Sequence, residues 1–204
     1  MGTRNLTIVH HDGKYKVAQY GQWDGYPSGQ GKTILDFLKK RFARDLFLTK
    51  LAKTYEPTED QIKAWYEEAG AKPDSEWIDT DTADRFKKAH PTLDRDLGGK
   101  ILATIQSAKK RLPLKSDLNF AGDSLFCEWA YVVDLDTNKL EVYKGFNKTP
   151  LEPSDRFYNI PMNEKRNDKY YQVKLTASFD LDALPTADEF YAVCDPETVE
   201  AANA

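Results

Sequence analysis

Hydrophobic and polar positions alternate at both ends of the chain, whereas the middle repeats its hydrophobic positions at helical spacing. Residues 5–9 and 14–20 alternate on either side of Asp12-Gly13, a dipeptide that favours a two-residue hairpin turn. From Thr33 onward the hydrophobic positions recur about every three to four residues, as one buried helix face requires: Ile34, Leu35, Phe37, Leu38, Phe42, Leu46, Phe47 and Leu51. The chain is therefore predicted to begin with a β-hairpin and to continue into a long helix.

Further helices are predicted from start and stop signals in the middle of the chain. Thr58 and Gln61 form a capping box, in which each side chain satisfies a free backbone N–H group at the helix start. That helix is expected to close at Gly70, the kind of residue that commonly follows a helix end. The pattern then predicts a short helix at about 82–89 and another at about 93–110.

The alternating pattern returns after this helical region. Residues 125–135 and 139–143 flank Asp136-Thr137-Asn138, which predicts a second hairpin. Residues 170–179 predict one more strand, with its hydrophobic side chains on one face: Tyr171, Val173, Leu175 and Ala177. A second capping box at residues 186–189 predicts a short final helix, and we expect the tail after Asp195 to fray.

These elements run as a strand pair, three or four helices, a second strand pair, a strand and a helix. Strands and helices that are segregated along the chain favour an α+β fold over a doubly wound parallel sheet. We predict an antiparallel sheet built from the N- and C-terminal hairpins and packed with a helical insertion of three to four helices. Residues 1–204 are predicted to form a single domain, with a helical subdomain at about 56–112 between the two strand regions.

Charge and cysteine content narrow the functional classes. The 29 Lys and Arg residues are balanced by 33 Asp and Glu residues, so the concentrated cationic excess that grips nucleic acid is absent, and we expect no nucleic acid partner. We expect Cys127 and Cys194 to be buried, reduced thiols, with one disulfide between them as an open alternative. Without a membrane-length hydrophobic run or a secretion signal, the protein is predicted to be soluble and cytoplasmic, with no membrane partner.

The connection between the second strand and the long helix is the strongest candidate site. It carries Gly21, Gly25, Gly29 and Gly31 together with the aromatic residues Trp23 and Tyr26. Glycine lets a backbone bend sharply or approach a bound group, and aromatic rings supply flat contact area. We therefore predict a ligand-binding loop at residues 21–31, in which the N–H groups of Gly29, Gly31 and the helix start hold an anion. The predicted ligand-binding residues are Arg4, Gln22, Trp23, Asp24, Tyr26, Gly29, Gly31, Lys32 and Thr33.

A nucleotide cofactor is not predicted, although Gly31-Lys32-Thr33 has the ending of a phosphate-binding P-loop. That motif requires a glycine five residues before its second glycine, and Tyr26 occupies this position. An alternative reading of the segment is a glycine-rich turn that only reverses the chain direction. We expect no cofactor.

No metal site is predicted either. The run that begins at Asp134 has the first oxygen ligands of a calcium loop, but Lys139 and Gly145 replace the required glycine and glutamate. His10 and His11 are neighbours on a strand, and neighbouring side chains on a strand point to opposite faces. The sequence therefore argues against both histidines binding one metal ion.

Two residues raise the possibility of catalysis. Asp24 is a weak candidate for an acid or base, because an aromatic neighbour can raise the pKa of a carboxyl group. Alternatively, Asp24 accepts backbone hydrogen bonds within its own turn. Thr3 could act as an N-terminal nucleophile if processing removed both residues before it. Arg4 could pair with Asp24 or bind a ligand anion.

Residues 1–7 (MGTRNLT) and 20–31 (YGQWDGYPSGQG) resemble a family of uncharacterised proteins from bacteria, their phages and filamentous fungi. Its members begin MGTRxLT and carry an aromatic-Asp-Gly-Tyr-Pro-x-Gly-x-Gly segment. Residues 128–136 and 178–185 also resemble the fungal members, so the likeness spans most of the chain. The resemblance implies no particular activity, cofactor or catalytic residue, and occurrence in phages is compatible with a small effector or a ligand sequesterer.

Three functional hypotheses follow. The first is a non-enzymatic or weakly enzymatic binding module that holds a small polar or phosphorylated ligand at residues 21–31. The second is a hydrolase of an amide or glycosidic bond that uses Asp24 or Thr3. The third is a protein-interaction or inhibitor domain that uses the acidic, helical region at about 56–96.

Overall fold

A five-stranded sheet lies at the centre of the computed structural model, which describes residues 2–73, 77–162 and 170–196. The strands occur in the spatial order β2-β1-β3-β4-β5. Their bounds are β1 (Asn5–His11), β2 (Lys14–Gly21), β3 (Trp129–Asp134), β4 (Lys139–Lys144) and β5 (Lys174–Asp180). The two predicted hairpins are β1–β2 and β3–β4, and both are confirmed.

Six α-helices accompany the sheet within the described residues, so the predicted α+β class is confirmed. They are α1 (Lys32–Lys40), α2 (Arg44–Leu51), α3 (Glu59–Glu68), α4 (Thr80–Ala89), α5 (Ile101–Gln106) and α6 (Ala187–Cys194). The capping boxes that begin α3 and α6 form as predicted. The predicted fraying after Asp195 falls mainly on residues 197–204, outside the described residues.

The sheet is mixed, because the two hairpins meet through parallel strands. β1 pairs with β3 in parallel, whereas the other three pairings are antiparallel. β2 ends at Gly21, beside the start of β1, and after the helices β3 begins at the same end of the sheet, so β3 runs parallel to β1. The register sets His10 opposite Asp134, a juxtaposition that spans more than half of the chain.

Each face of the sheet carries its own hydrophobic core. The first core contains Val9 and Tyr131 from the strands and packs against α1, α2, α5 and α6. The second core contains Ile8 and Val132, and it is covered by residues of irregular segments such as Phe157. Successive strand residues point to opposite faces, so a strand buried on both faces carries hydrophobic residues in a continuous run.

The predicted long helix is broken into α1 and α2, which corrects the sequence-based expectation. Arg41 leaves the helical conformation with φ −135°, and the break lets the chain turn. Phe37, Phe42 and Phe47 then pack as a cluster with ring centroids 5.5–6.3 Å apart. Phe37 and Phe47 are buried and Phe42 is partly buried, so the packing of these rings favours the break.

The predicted helix at 93–110 is also shorter than expected. It consists of a 3₁₀ turn at Gly98–Lys100 followed by α5, and Gly98 has a φ of 49° that ends any helix before it. The last predicted strand differs too, because Val173 packs in the second core and Ala177 in the first. An irregularity in the β4–β5 register explains why these residues do not share one face.

Candidate functional site

The predicted loop is fastened to the sheet by its own backbone. The Gly25 N–H group donates to the Thr3 carbonyl at 2.9 Å, and the Gln30 N–H group donates to the Asp24 carbonyl at 2.8 Å. From strand β3, the buried hydroxyl of Tyr131 donates to the Gly25 carbonyl at 2.8 Å. The loop is therefore held by a backbone bond to Thr3, just before β1, and by the side chain of Tyr131 on β3, and it continues through a π-helical turn, Pro27–Gly31, into α1.

The glycines of the loop are required by packing. A Cβ on Gly29 would lie 2.2 Å from the Asp24 carbonyl oxygen, and a Cβ on Gly31 would lie 2.9 Å from the Phe190 ring. The N–H groups of Gly29 and Gly31 both donate to the Tyr26 carbonyl, at 3.0 and 3.2 Å. These amides are already satisfied, which corrects the expectation that they hold an anion.

Gln30 connects the loop to the turn before α5, and sequence reasoning missed it. Its Nε2 donates to the Trp23 carbonyl at 3.2 Å, and its Oε1 accepts from the Gly99 N–H group at 2.8 Å. A Cβ on Gly98 would lie 2.5 Å from the same Oε1. The Gly98-Gly99 pair was the available signal, because paired glycines inside a helical pattern mark a close approach.

The exposed part of the loop consists of Trp23, Asp24 and Tyr26. Trp23 is 47% exposed and Tyr26 is 48% exposed. Close to the loop, a hydrogen bond from Lys87 lowers the pKa of Asp96, and the Trp23 indole contributes less to the same shift. Asp24 is exposed, with a φ of 56°, and its backbone carbonyl accepts the bond to Gln30.

The side chains of Arg4 and Gln22 each contact a neighbouring aromatic residue. The guanidinium of Arg4 lies over the Phe126 ring at 4.1 Å, and no ion pair of the described residues joins it to Asp24, which corrects that predicted pairing. The side chain of Gln22 accepts from the Tyr20 hydroxyl at 2.6 Å. Thr3 is only 5% exposed, whereas a nucleophile has to be reached by its substrate.

Thr33 and Lys32 lie where the loop enters α1, beside a groove between α1 and α5. We call this the α1 groove; it has a volume of about 400 Å³. Its lining residues are Thr33, Asp36, Phe37, Lys40, Arg41, Gly99, Lys100 and Ala103. Of the predicted binding residues, Thr33 lines the groove. Gln30, which was not predicted, fixes the position of the opposite wall through Gly99.

The α1 groove carries an excess of positive charge. Lys40, Arg41 and Lys100 line it, and its single carboxylate is Asp36. Hydrogen bonds from Lys32 and Lys40 lower the pKa of Asp36 to about 2, so this carboxylate is already neutralised by two ammonium groups. The groove is therefore cationic in a chain whose net charge is -4. Sequence reasoning missed Lys100 because it lies on a different element from the loop.

A larger pocket, of about 470 Å³, lies between α3 and the segment before α4. Acidic and basic side chains such as Glu59, Glu67 and Lys115 mix along its wall, and its rim includes Lys72, which adjoins the undescribed residues 74–76. Three lysines (Lys63, Lys72 and Lys115) against two glutamates give this pocket a smaller positive excess than the α1 groove, which is therefore the better defined candidate.

A buried ionic network lies on the other face of the sheet. Arg156 donates from Nη2 to Asp134 and from Nε to Glu141, the latter at 2.7 Å. Burial alone would raise the pKa of Asp134, but bonds from the Thr137 N–H group and from Arg156 lower it to about 2. Asp134 is only 1% exposed, so these bonds carry a large share of its stabilisation.

Asp134 is predicted to make the fold acid-sensitive. Its pKa is depressed from the ordinary ~3.9 to about 2, so its contribution to stability is present above about pH 4 and is lost as pH falls through about 2. Between pH 4 and 2, we expect the free energy of unfolding of the wild type to fall by about 2 kcal/mol more than that of Asp134→Asn, as measured by urea unfolding. The amide does not titrate, so equal losses in both proteins would contradict the assignment.

No protein-family model, curated protein or solved structure matches this chain. Within residues 2–73, 77–162 and 170–196, no helix is both long and apolar enough to cross a membrane. Cys127 and Cys194 are both buried, as expected, and they form no disulfide and lie in different cores. The fold and the site thus define an α+β protein with a cationic surface groove beside its glycine-rich loop.

Proposed function

We propose that the protein is a non-enzymatic or weakly enzymatic binding module that holds a small, negatively charged ligand, such as a phosphorylated metabolite, in the α1 groove. The observation that carries this proposal is that Arg41 and Lys100 add two positive charges to a groove whose one carboxylate, Asp36, is already paired with Lys32 and Lys40. The groove volume of about 400 Å³ falls within the range of small-molecule sites.

The lining residues divide into polar and apolar contacts. Arg41 presents a planar, bidentate donor that suits a phosphate or carboxylate, and Lys100 supplies a compact charge from the facing element. The Thr33 hydroxyl donates to the Gly29 carbonyl at 3.2 Å, so toward a ligand it can act only as an acceptor. Phe37 and Ala103 provide an apolar surface for the uncharged part of the ligand.

The predicted loop contributes to this proposal mainly by positioning. Gln30 bonds to Gly99, and Gly99 directly precedes Lys100, so the loop determines where one cationic wall of the groove lies. Trp23, Asp24 and Tyr26 lie on the exposed surface of the same loop. In this proposal they form an outer surface of the loop, apart from the acidic, helical region at about 56–96 to which the interaction-domain alternative refers.

Lys100→Glu is expected to weaken binding of an anionic ligand about tenfold or more, because a charged hydrogen bond is lost and a repulsive charge is added. A thermal-shift screen with inorganic phosphate, pyrophosphate, sugar phosphates and nucleotides selects the ligand, and calorimetry gives its dissociation constant. Lys88→Glu is the matched control, since it makes the same charge change at an exposed position on α4.

Three outcomes decide the proposal. Selective weakening by Lys100→Glu and Arg41→Glu supports it, and so does an unchanged affinity in Trp23→Ala. If Lys88→Glu weakens binding equally, the change in affinity follows from the net charge of the chain, and this contradicts specific binding in the groove. The absence of stabilisation by every compound of the screen contradicts the proposal outright.

A further inference from the structure

The parallel pairing of β1 and β3 brings two histidines and several carboxylates together at one end of the sheet. His10 lies opposite Asp134 in the register, and the β3–β4 turn places Asp136 beside the β1–β2 turn. The N–H groups of Asp12 and Gly13 both donate to Asp136, at 2.9 Å each. Three potential ligand atoms of His10, Asp134 and Asp136 lie within 4.8 Å of one another.

The separations within this cluster match those of a metal coordination sphere. His10 Nδ1 lies 3.5 Å from Asp134 Oδ2 and 3.3 Å from Asp136 Oδ2. Ligands of a tetrahedral zinc ion with bonds of about 2.1 Å are about 3.4 Å apart. A cation bound by these three atoms would share Asp134 Oδ2 with the Arg156 guanidinium and Asp136 Oδ2 with the Gly13 N–H group.

One nitrogen of the His10 imidazole lacks a hydrogen-bond partner. Its Nδ1 atom is buried and makes no hydrogen bond, although two carboxylates face it. The ring is held edge-to-face against Tyr15 at 5.2 Å, and the side chain is 17% exposed. Leaving a buried polar nitrogen without a partner is costly, and a cation between this nitrogen and the two carboxylates removes that cost.

The local charge also favours a cation. Four carboxylates, of Asp12, Asp134, Asp136 and Glu141, lie in or next to the cluster, and their one permanently cationic contact is Arg156 within the described residues. Backbone N–H groups bond to the Asp134 and Asp136 carboxylates and fix their orientation, as the surroundings of metal ligands commonly do. The two carboxylates are thus held in place next to an unpartnered imidazole.

We propose that His10, Asp134 and Asp136 bind a divalent transition-metal ion, with Zn²⁺ as the best match to one nitrogen and two oxygen donors. Imidazole and carboxylate together suit zinc and its neighbours, whereas magnesium and calcium prefer oxygen alone. Three protein ligands leave a fourth position for water or another small ligand. Tyr15 and Arg156 line an adjoining pocket of about 400 Å³, so that position lies near a space that a small molecule can enter.

Metal titration of chelator-treated protein tests the proposal. We expect one Zn²⁺ or Co²⁺ ion per chain by calorimetry and little competition from excess Mg²⁺. His10→Gln and Asp136→Asn should each weaken Zn²⁺ binding at least about tenfold. His11→Gln is the comparison: His11 also contacts Asp136, at 3.1 Å, but through its other oxygen, so this change removes an outer contact and should weaken Zn²⁺ binding less than His10→Gln does.

The Co²⁺ absorption spectrum gives a readout that does not depend on overall stability. Loss of a nitrogen ligand shifts the spectrum in His10→Gln, even if Asp136→Asn fails to fold because its turns separate. A wild-type protein that binds no Zn²⁺ overturns the proposal. It is equally overturned if His10→Gln leaves the affinity and the Co²⁺ spectrum unchanged, or if His11→Gln alone abolishes binding, because the assigned ligands are then wrong.

Discussion

Replacing Arg156 with methionine is expected to lower the free energy of unfolding by about 3–5 kcal/mol. The arginine is 15% exposed and neutralises Asp134, which is 1% exposed, and Glu141, which is 14% exposed. Removing one partner of a buried ion pair leaves the remaining charge without compensation in a poorly solvated place. Methionine keeps much of the side-chain volume, so the loss measures the missing charge more than a cavity.

The matched control is Lys139→Met, which removes an ion pair on the surface of the same sheet. Lys139 and Asp180 are 39% and 48% exposed and 2.9 Å apart, and such pairs contribute about 0–1 kcal/mol. Urea unfolding followed by circular dichroism measures both variants. A loss of less than about 1 kcal/mol in Arg156→Met would show that the network contributes no more than a surface pair.

Replacing Gly29 with alanine is expected to lower the free energy of unfolding by about 2–3 kcal/mol. The added Cβ would lie 2.2 Å from the Asp24 carbonyl oxygen, which already accepts the N–H group of Gln30 at 2.8 Å. The backbone cannot relax at one of these contacts without disturbing the other. The change is therefore expected to displace Gln30 and to loosen its bond to Gly99.

Ser28→Ala provides the comparison at the neighbouring exposed position, where we expect a change within about 0.5 kcal/mol. Thermal unfolding compares the two variants, and amide exchange of Gly99 reports on its bond to Gln30. If Gly29→Ala is as stable as Ser28→Ala, the loop can accommodate a Cβ at position 29 in spite of the close approach of the Asp24 carbonyl oxygen. The glycine would then have to be explained by something other than packing.

Local signals in the chain predicted the elements whose determinants are close in sequence. The Asp12-Gly13 turn forms with φ values of 53° and 65°, and the capping boxes begin α3 and α6 at Thr58 and Thr186. Failures occurred where side chains distant in sequence compete with the local pattern. The break after α1 is an example, because the packing of Phe42 against Phe37 and Phe47 overrides a helical repeat that continues through it.

The candidate site shows the same division. The glycines of residues 21–31 identified the loop, but their contacts with Asp24 and Phe190 explain them by packing. The cationic groove joins Arg41 to Lys100, and the proposed metal site joins His10 to Asp134. Neither combination has a spacing signature, because its members come from elements that only meet in the folded chain.

The sequence by itself determined the α+β class, both hairpins and the helix starts, since each depends on hydrogen bonds and hydrophobic periodicity within a few neighbouring residues. Only the tertiary structure decided that β1 lies parallel to β3, and with it which side of His10 meets Asp134. It also decided that Gln30 reaches Gly99 and so positions Lys100. These pairings depend on how two hydrophobic cores close on opposite faces of the sheet, and local patterns carry no record of that choice.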